Sequence, residues 1–253
     1  MLTISARVCQ SRSSLLPCLL LLLGLLSAGC MSTGEWKEKG KADFGKGNYA
    51  ESIVAFDHAI ELAPNDSELY YLKGLSLFEL VRYKDAIDAF TGAIRQNSEY
   101  SSAWFWKGRT SYMMGDYDEA VRSFFKAIEI EPGNIEYWYY RGMALSGRGQ
   151  YDMAIQHFDK ALLMRSDDEK IWSARGYAYI MVKNYTEALH SFDQAIKVNQ
   201  NNGENWINKA SVLKVLGRQE EANVAMEKAN LLYKQMEQEV TKNLPRTPLP
   251  YLT

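Results

Sequence analysis

The stretch from residue 101 to 134, SSAWFWKGRTSYMMGDYDEAVRSFFKAIEIEPGN, decides the fold, because the next 34 residues, IEYWYYRGMALSGRGQYDMAIQHFDKALLMRSDD, repeat its pattern. Each stretch has a tryptophan at its fourth position and a glycine at its eighth. The aromatic residue returns every 34 residues, at Trp36, Tyr70, Trp104, Trp138, Trp172 and Trp206. A fixed period of this length without insertions is the signature of a repeat array.

Each repeat predicts two helices joined by a turn. Four residues after each ring stand Gly40, Gly74, Gly108, Gly142 and Gly176, with Ala210 in the last repeat. Glycine inside a helix costs about 1 kcal/mol relative to alanine, so these positions predict a close approach by a neighbouring helix. The second half of the second to fifth repeats places a phenylalanine between two alanines, as in Ala120, Phe124 and Ala127, which predicts a second helix that packs tightly.

This pattern resembles the tetratricopeptide repeat (TPR) family, and the resemblance covers residues 33–236. It implies an all-α, right-handed superhelical solenoid of six helix-turn-helix repeats, at residues 33–66, 67–100, 101–134, 135–168, 169–202 and 203–236. One departure is a basic residue where the family usually has leucine before the glycine, at Lys39, Lys73, Lys107, Arg141, Arg175 and Lys209. The sixth repeat also drifts from the pattern, which is typical of a terminal repeat with no neighbour on one side.

The N-terminus predicts export. Arg7 and Arg12 precede an apolar run from Leu15 to Leu26, which predicts a signal peptide over residues 1–29. Ser27-Ala28-Gly29-Cys30 resembles the lipobox of prokaryotic lipoproteins, which implies acylation of Cys30 and a short tether over residues 30–32. Ordinary cleavage at the same bond, giving a secreted protein without lipid, is the alternative. We expect an exported protein that is membrane-anchored on the extracytoplasmic side, in the outer membrane, the periplasm or an archaeal cell surface.

Composition and motifs predict a protein without catalytic chemistry. Loss of Arg7 and Arg12 with the signal peptide leaves 27 basic and 31 acidic residues, a net charge of −4, which argues against nucleic acid as a partner. The sequence has no phosphate-binding loop, and its three histidines lie in different repeats without metal-ligand spacing. We therefore expect no enzyme activity, no cofactor, no metal and no small-molecule substrate. Four lysines of the first repeat either contact anionic headgroups or form a solvated face: Lys37, Lys39, Lys41 and Lys46.

The TPR resemblance also implies where a partner binds. The first helices of such repeats line a concave groove, and the matching stripe here is aromatic: Tyr71, Leu75, Phe78, Phe105, Trp106, Arg109, Tyr112, Tyr139, Tyr140, Met143 and Tyr177. Some of these residues are expected to pack between neighbouring helices instead. The rest predict a groove for an apolar or aromatic peptide segment, with Arg109 meeting a carboxylate or stacking on a ring.

These features favour a membrane-anchored adaptor that gathers protein partners in envelope complex assembly. A structural component that self-associates through its exposed array ends is the alternative. Residues 237–253 predict a helix extension followed by a proline-rich tail with Pro245, Pro248 and Pro250.

Overall fold

The computed structural model of the protein describes residues 31–243, and within this range the chain forms twelve helices and no strand. They are α1 (Thr33–Gly45), α2 (Tyr49–Leu62), α3 (Ser67–Glu79), α4 (Tyr83–Gln96), α5 (Ser101–Met113), α6 (Tyr117–Ile130), α7 (Ile135–Gly147), α8 (Tyr151–Met164), α9 (Glu169–Met181), α10 (Tyr185–Val198), α11 (Gly203–Val215) and α12 (Gln219–Asn243). The all-α repeat fold predicted from the sequence is confirmed. The predicted signal peptide, Cys30 and the proline-rich tail lie outside the described residues.

The helices pack in pairs within two compact units that divide after Ser98. The N-terminal unit contains α1 to α4, and the C-terminal unit contains α5 to α12. In every pair the first helix has 13 residues and the second has 14, except that α12 has 25 and continues to Asn243. The pair is thus the structural form of the 34-residue period.

The periodic glycines are required by the phenylalanine of the same repeat. All five phenylalanines at this phase are fully buried: Phe56, Phe90, Phe124, Phe158 and Phe192. A Cβ added to Gly142 would lie 2.5 Å from the Phe158 ring, which is much closer than two carbon atoms pack. The predicted close approach at the glycines is therefore confirmed, and the approaching group is an aromatic ring.

The periodic aromatic residues also fix the turn that precedes each repeat. Trp138 Nε1 donates to the Pro132 carbonyl oxygen at 2.9 Å, and Trp172 Nε1 donates to the Ser166 carbonyl at 2.8 Å. Tyr70, which stands in place of tryptophan, donates through its hydroxyl to the Pro64 carbonyl at 3.0 Å. Tyrosine can replace tryptophan here because both place a donor at the end of a flat ring.

At three of its six positions, the basic residue that departs from the family pattern joins neighbouring repeats. Lys73 Nζ lies 2.6 Å from Asp57 Oδ1 in the N-terminal unit. In the C-terminal unit, Arg175 Nε lies 2.6 Å from Asp159 Oδ1, and Lys209 Nζ lies 2.6 Å from Asp193 Oδ1. Each pair links the first helix of one repeat to the second helix of the repeat before it. We call these contacts the ion-pair ladder.

Candidate functional site

The predicted groove residues of the N-terminal unit are half-buried on α3. The Tyr71 ring centroid lies 6.0 Å from that of Phe90, and the Phe78 centroid lies 5.4 Å from that of Tyr83. Leu75 lies between them on the same helix. These side chains therefore help to pack α3 against α4 as well as forming its surface.

The prediction that Phe105 is a groove residue is wrong. Phe105 is 5% exposed, and its ring centroid lies 4.9 Å from that of Tyr137 and 5.7 Å from that of Phe124. It is buried because the next first helix, α7, covers it, with the Tyr140 centroid 5.4 Å away. Phe105 thus belongs to the hydrophobic core of the C-terminal unit.

Arg109 already stacks on two of the residues predicted beside it. Its guanidinium carbon lies 4.5 Å from the Trp106 ring centroid and 5.3 Å from that of Tyr140. Tyr112 is half-buried, with its ring centroid 5.5 Å from that of Tyr117, and burial raises the pKa of its phenol. Together these side chains form a packed aromatic surface on α5 and α7, in which the Arg109 guanidinium stacks within the chain itself.

The remaining predicted residues converge on one open pocket of about 350 Å³ between α7, α9 and α11. Its walls are predominantly apolar and include Tyr139, Met143, Ala174 and Tyr177. Tyr177 is 44% exposed, and burial raises the pKa of Tyr139 to about 12. A raised pKa keeps this phenol neutral, which suits an apolar wall. We call this cavity the groove pocket.

The floor of the groove pocket is polar and is built mainly by asparagines. Asn208 Oδ1 accepts a hydrogen bond from the Tyr177 hydroxyl at 3.1 Å. The amide nitrogen of Asn208 is buried and has no hydrogen-bond partner among the described residues. Because a buried donor without an acceptor is costly, this nitrogen is suited to an acceptor supplied by a ligand.

The Glu169 carboxylate holds the rest of this floor in place. Its Oε2 accepts from Asn199 Nδ2 at 2.7 Å, and its Oε1 accepts from Asn205 Nδ2 at 2.6 Å and also from Asn202 Nδ2. Asn205 is 1% exposed, and its Oδ1 accepts from Ser173 Oγ at 2.6 Å. This network ties the fifth repeat to the sixth and orients α11 beneath the pocket.

A second pocket of about 230 Å³ adjoins the first, since Tyr139 and Lys170 line both. It is more polar, and its wall carries the ion pair between Arg165 and Asp168, whose nitrogen and oxygen lie 2.8 Å apart. The surface available to a partner therefore continues from apolar to charged along α7 and α9.

Sequence reasoning missed the polar floor: Glu169, Ser173, Asn202, Asn205 and Asn208. The available signal was the run NQNNGENWIN at residues 199–208, in which five asparagines stand near the start of α11. The prediction rested on the large side chains of the aromatic stripe and left out these asparagines. Asparagine amides at one helical face indicate a hydrogen-bonding surface as well as a turn.

Three of the four lysines named in the first repeat, Lys37, Lys39 and Lys41, are engaged within the N-terminal unit. Lys37 Nζ lies 2.5 Å from Glu68 Oε2 and 3.2 Å from Asp66 Oδ2, and Lys41 Nζ lies 3.2 Å from Glu68 Oε1. Lys39 Nζ lies 2.7 Å from Asp43 Oδ2. These contacts favour the solvated, self-neutralised face over the headgroup-binding interpretation.

No group of three or more histidine, cysteine, aspartate or glutamate side chains in residues 31–243 is arranged to hold a metal ion. None of the helices in the described part of the chain combines the length and hydropathy needed to cross a bilayer.

Comparison with known families agrees with the geometry. Models described as "Tetratricopeptide repeat" match residues 37–101, 82–135, 135–168 and 169–202. The chain belongs to the tetratricopeptide repeat family. TPR proteins are generally scaffolds without catalytic activity, and the matches indicate no catalytic family.

Solved structures share the fold of this TPR protein. MamA is 19% identical, with 68% of this chain and 94% of that chain covered and a TM-score of 0.63. MamA from Desulfovibrio magneticus RS-1 (residues 41 to the end) is 18% identical, with 67% and 96% covered and a TM-score of 0.64. YrrB, described as a TPR protein with an unusual peptide-binding site, is 20% identical, with 74% and 98% covered and a TM-score of 0.62. No curated protein matches the sequence significantly.

Proposed function

We propose that this TPR protein is a scaffold that binds an extended apolar or aromatic segment of a partner protein in the groove pocket. The observation that carries the proposal is the open, apolar-walled cavity with the unpartnered amide nitrogen of Asn208 at its floor. Tyr139, Met143 and Tyr177 offer contacts to an apolar side chain. The Asn208 amide donates to a main-chain carbonyl, so an extended peptide satisfies both features of the site.

The same proposal places the scaffold at a membrane. The sequence before the repeats supports acylation of Cys30 and export, so that the groove pocket is presented on the extracytoplasmic side of the membrane. Two or more acyl chains anchor a protein stably, whereas one chain binds only marginally. In this location the scaffold gathers envelope proteins into complexes.

Site-specific photocrosslinking in native membranes tests the pocket. A photoreactive phenylalanine analogue at Met143, which lines the pocket, is expected to capture a discrete partner. The matched control places the analogue at Leu163 on α8, which is 83% exposed and does not line the pocket. The pair of changes Tyr177→Ala and Asn208→Leu is expected to reduce capture at 143 by at least tenfold, because both wall and donor are lost. Equal products at 143 and 163, or capture that survives the double change, would contradict the proposal.

Fractionation tests the anchor independently. The change Cys30→Ser is expected to move the protein from the membrane fraction to the soluble exported fraction, and mass spectrometry of the native N-terminus is expected to show acyl chains on Cys30. A Cys30→Ser protein that stays in the membrane fraction would remove this part of the proposal and leave the groove pocket untouched.

Self-association is a second candidate, favoured by the exposed stripe on the long final helix. Tyr233, Met236 and Val240 of α12 are 39%, 55% and 58% exposed. Their spacing of three and four residues places them on one face. Light scattering over a dilution series is expected to show a larger species that Met236→Lys dissociates if this face joins copies of the chain. A monomer at every concentration would exclude this role.

A further inference from the structure

The ion-pair ladder has no pair at Arg141, within the C-terminal unit. Lys107 also lacks an aspartate one repeat earlier, where Thr91 stands, but its Nζ lies 2.8 Å from Glu119 Oε1 of its own repeat. Arg141 stands at the ladder position of the fourth repeat, where Arg175 and Lys209 stand in the fifth and sixth. The residue that would supply its carboxylate, one repeat earlier, is Phe125, at the position that Asp159 holds for Arg175. The Arg141 guanidinium lies over the Phe125 ring instead, 4.8 Å from its centroid.

The missing aspartate leaves one nitrogen of Arg141 without a hydrogen bond. Arg175 Nε donates to Asp159 Oδ1 at 2.6 Å, whereas Arg141 Nε is buried and has no hydrogen-bond partner among the described residues. The carboxylate whose charge acts most on Arg141 is that of Glu129, which is already 2.8 Å from Lys126 Nζ. A guanidinium retains five strong donors at all physiological pH values, so an unmade bond at a buried Nε has a cost that Arg175 avoids.

We propose that Arg141 and Phe125 form a second binding site, which takes a carboxylate of an acidic peptide segment from a partner protein. The partner's carboxylate completes the rung at the Arg141 guanidinium, in the place that Asp159 has at Arg175. An apolar residue next to that carboxylate packs on the Phe125 ring, which is 39% exposed.

Two features favour this ligand. A carboxylate matches the planar guanidinium and replaces the chemical group that the other rungs contain. Arginine is also among the residues most enriched at the energetic centres of protein interfaces. Arg141 follows Tyr139 by two residues and so faces the opposite side of α7, which makes this site separate from the groove pocket.

Differential peptide selection tests the site on the full-length protein in detergent micelles. A phage-displayed library of random peptides is selected against the native protein and counter-selected against Phe125→Asp. This change supplies the missing carboxylate from within the chain, so the variant is expected to fold with unchanged or higher thermal stability and to lose the site. Arg141→Gln is the second variant, since it removes the charge and keeps a polar side chain of similar reach.

The expected peptides contain Asp or Glu next to an apolar residue. They are expected to bind each variant at least tenfold more weakly, and their own Glu→Gln or Asp→Asn versions should lose as much. Tyr177→Ala, a change in the groove pocket, should leave their binding unchanged. The proposal fails if no peptide distinguishes the native protein from Phe125→Asp, if the discriminating peptides lack an acidic residue, or if Arg141→Gln binds them normally.

Discussion

Replacement of Val81 by glycine is expected to stabilise the protein, although it removes a side chain. Val81 lies in the turn between α3 and α4 with φ of 61°, in the left-handed region. Four of the equivalent turns have glycine there, at Gly47, Gly115, Gly149 and Gly217, with φ between 76° and 80°. For a residue with a Cβ this conformation costs about 1–2 kcal/mol, and a β-branched side chain lies at the high end.

The net effect follows from three contributions. Glycine removes the steric cost at φ of 61° but increases the entropy of the unfolded chain, which costs about 0.4–1 kcal/mol. Val81 is 65% exposed, so little apolar burial is lost. The balance is a gain of about 1 kcal/mol. With a urea dependence of about 2 kcal/mol per molar, the unfolding midpoint should rise by roughly 0.5 M.

Urea unfolding followed by circular dichroism measures this shift, and two further variants isolate its cause. Val54→Gly removes a valine that is 55% exposed inside α2, where glycine is only a poor helix former, so this change should lower stability by about 0.5 kcal/mol. Gly115→Val introduces the strain and should be destabilising. A lower midpoint for Val81→Gly, or equal effects of Val81→Gly and Val54→Gly, would refute the strain argument.

Three further predictions concern the core and the titratable groups. Gly142→Ala should lower the free energy of unfolding by about 1–3 kcal/mol, because the Phe158 ring must move. Gly133→Ala, in an open turn, should change it by less than about 0.5 kcal/mol. Equal losses in thermal melts would contradict the packing argument. Burial raises the pKa of Tyr139 to about 12. The stabilising contribution of this tyrosine is therefore complete below the ordinary pKa of 10.0 and is lost as pH rises through about 12. Tyr139→Phe should remove the last tyrosinate step in a spectrophotometric titration. The hydrogen bond from Lys37 lowers the pKa of Glu68. The contribution of Glu68 to stability is therefore present above the ordinary pKa of 4.5 and is lost as pH falls through the lowered pKa. Lys37→Met should make this loss of stability smaller in acid unfolding curves.

The fold could be predicted from the sequence because its determinants are local and recur. A glycine and a phenylalanine 16 residues apart, such as Gly142 and Phe158, lie in one helical pair, so the same close contact recurs along the array. Six copies in phase leave few alternative folds. The capping box at the start of α1 is equally local, since Ser32 and Glu35 are three residues apart and exchange hydrogen bonds of 3.3 Å and 2.7 Å.

The site was less predictable because it depends on contacts between repeats. Phe105 and Tyr177 lie at nearby positions of their repeats, yet Phe105 is covered by α7 and Tyr177 is 44% exposed above α11. The distance and rotation between neighbouring first helices decide which ring is covered. The residues of the stripe do not predict that rotation. Asn208 was not predicted for the same reason: its amide nitrogen lacks a partner because α9 of the preceding repeat places no acceptor beside it.

A repeat protein supplies its own controls, because each position is seen several times in nearly the same environment. Where five repeats share a residue, as at the glycines against the phenylalanines, the shared packing is a sufficient explanation. Val81 stands where four repeats have glycine, and Phe125 stands where the three ladder pairs have aspartate. Each departure leaves a local cost: a left-handed β-branched residue at one, and an arginine without its carboxylate at the other. At Arg141 the Phe125 ring offers a stacking contact but no hydrogen-bond acceptor, and the group that is missing is a carboxylate. The proposed second site supplies that same group from a partner.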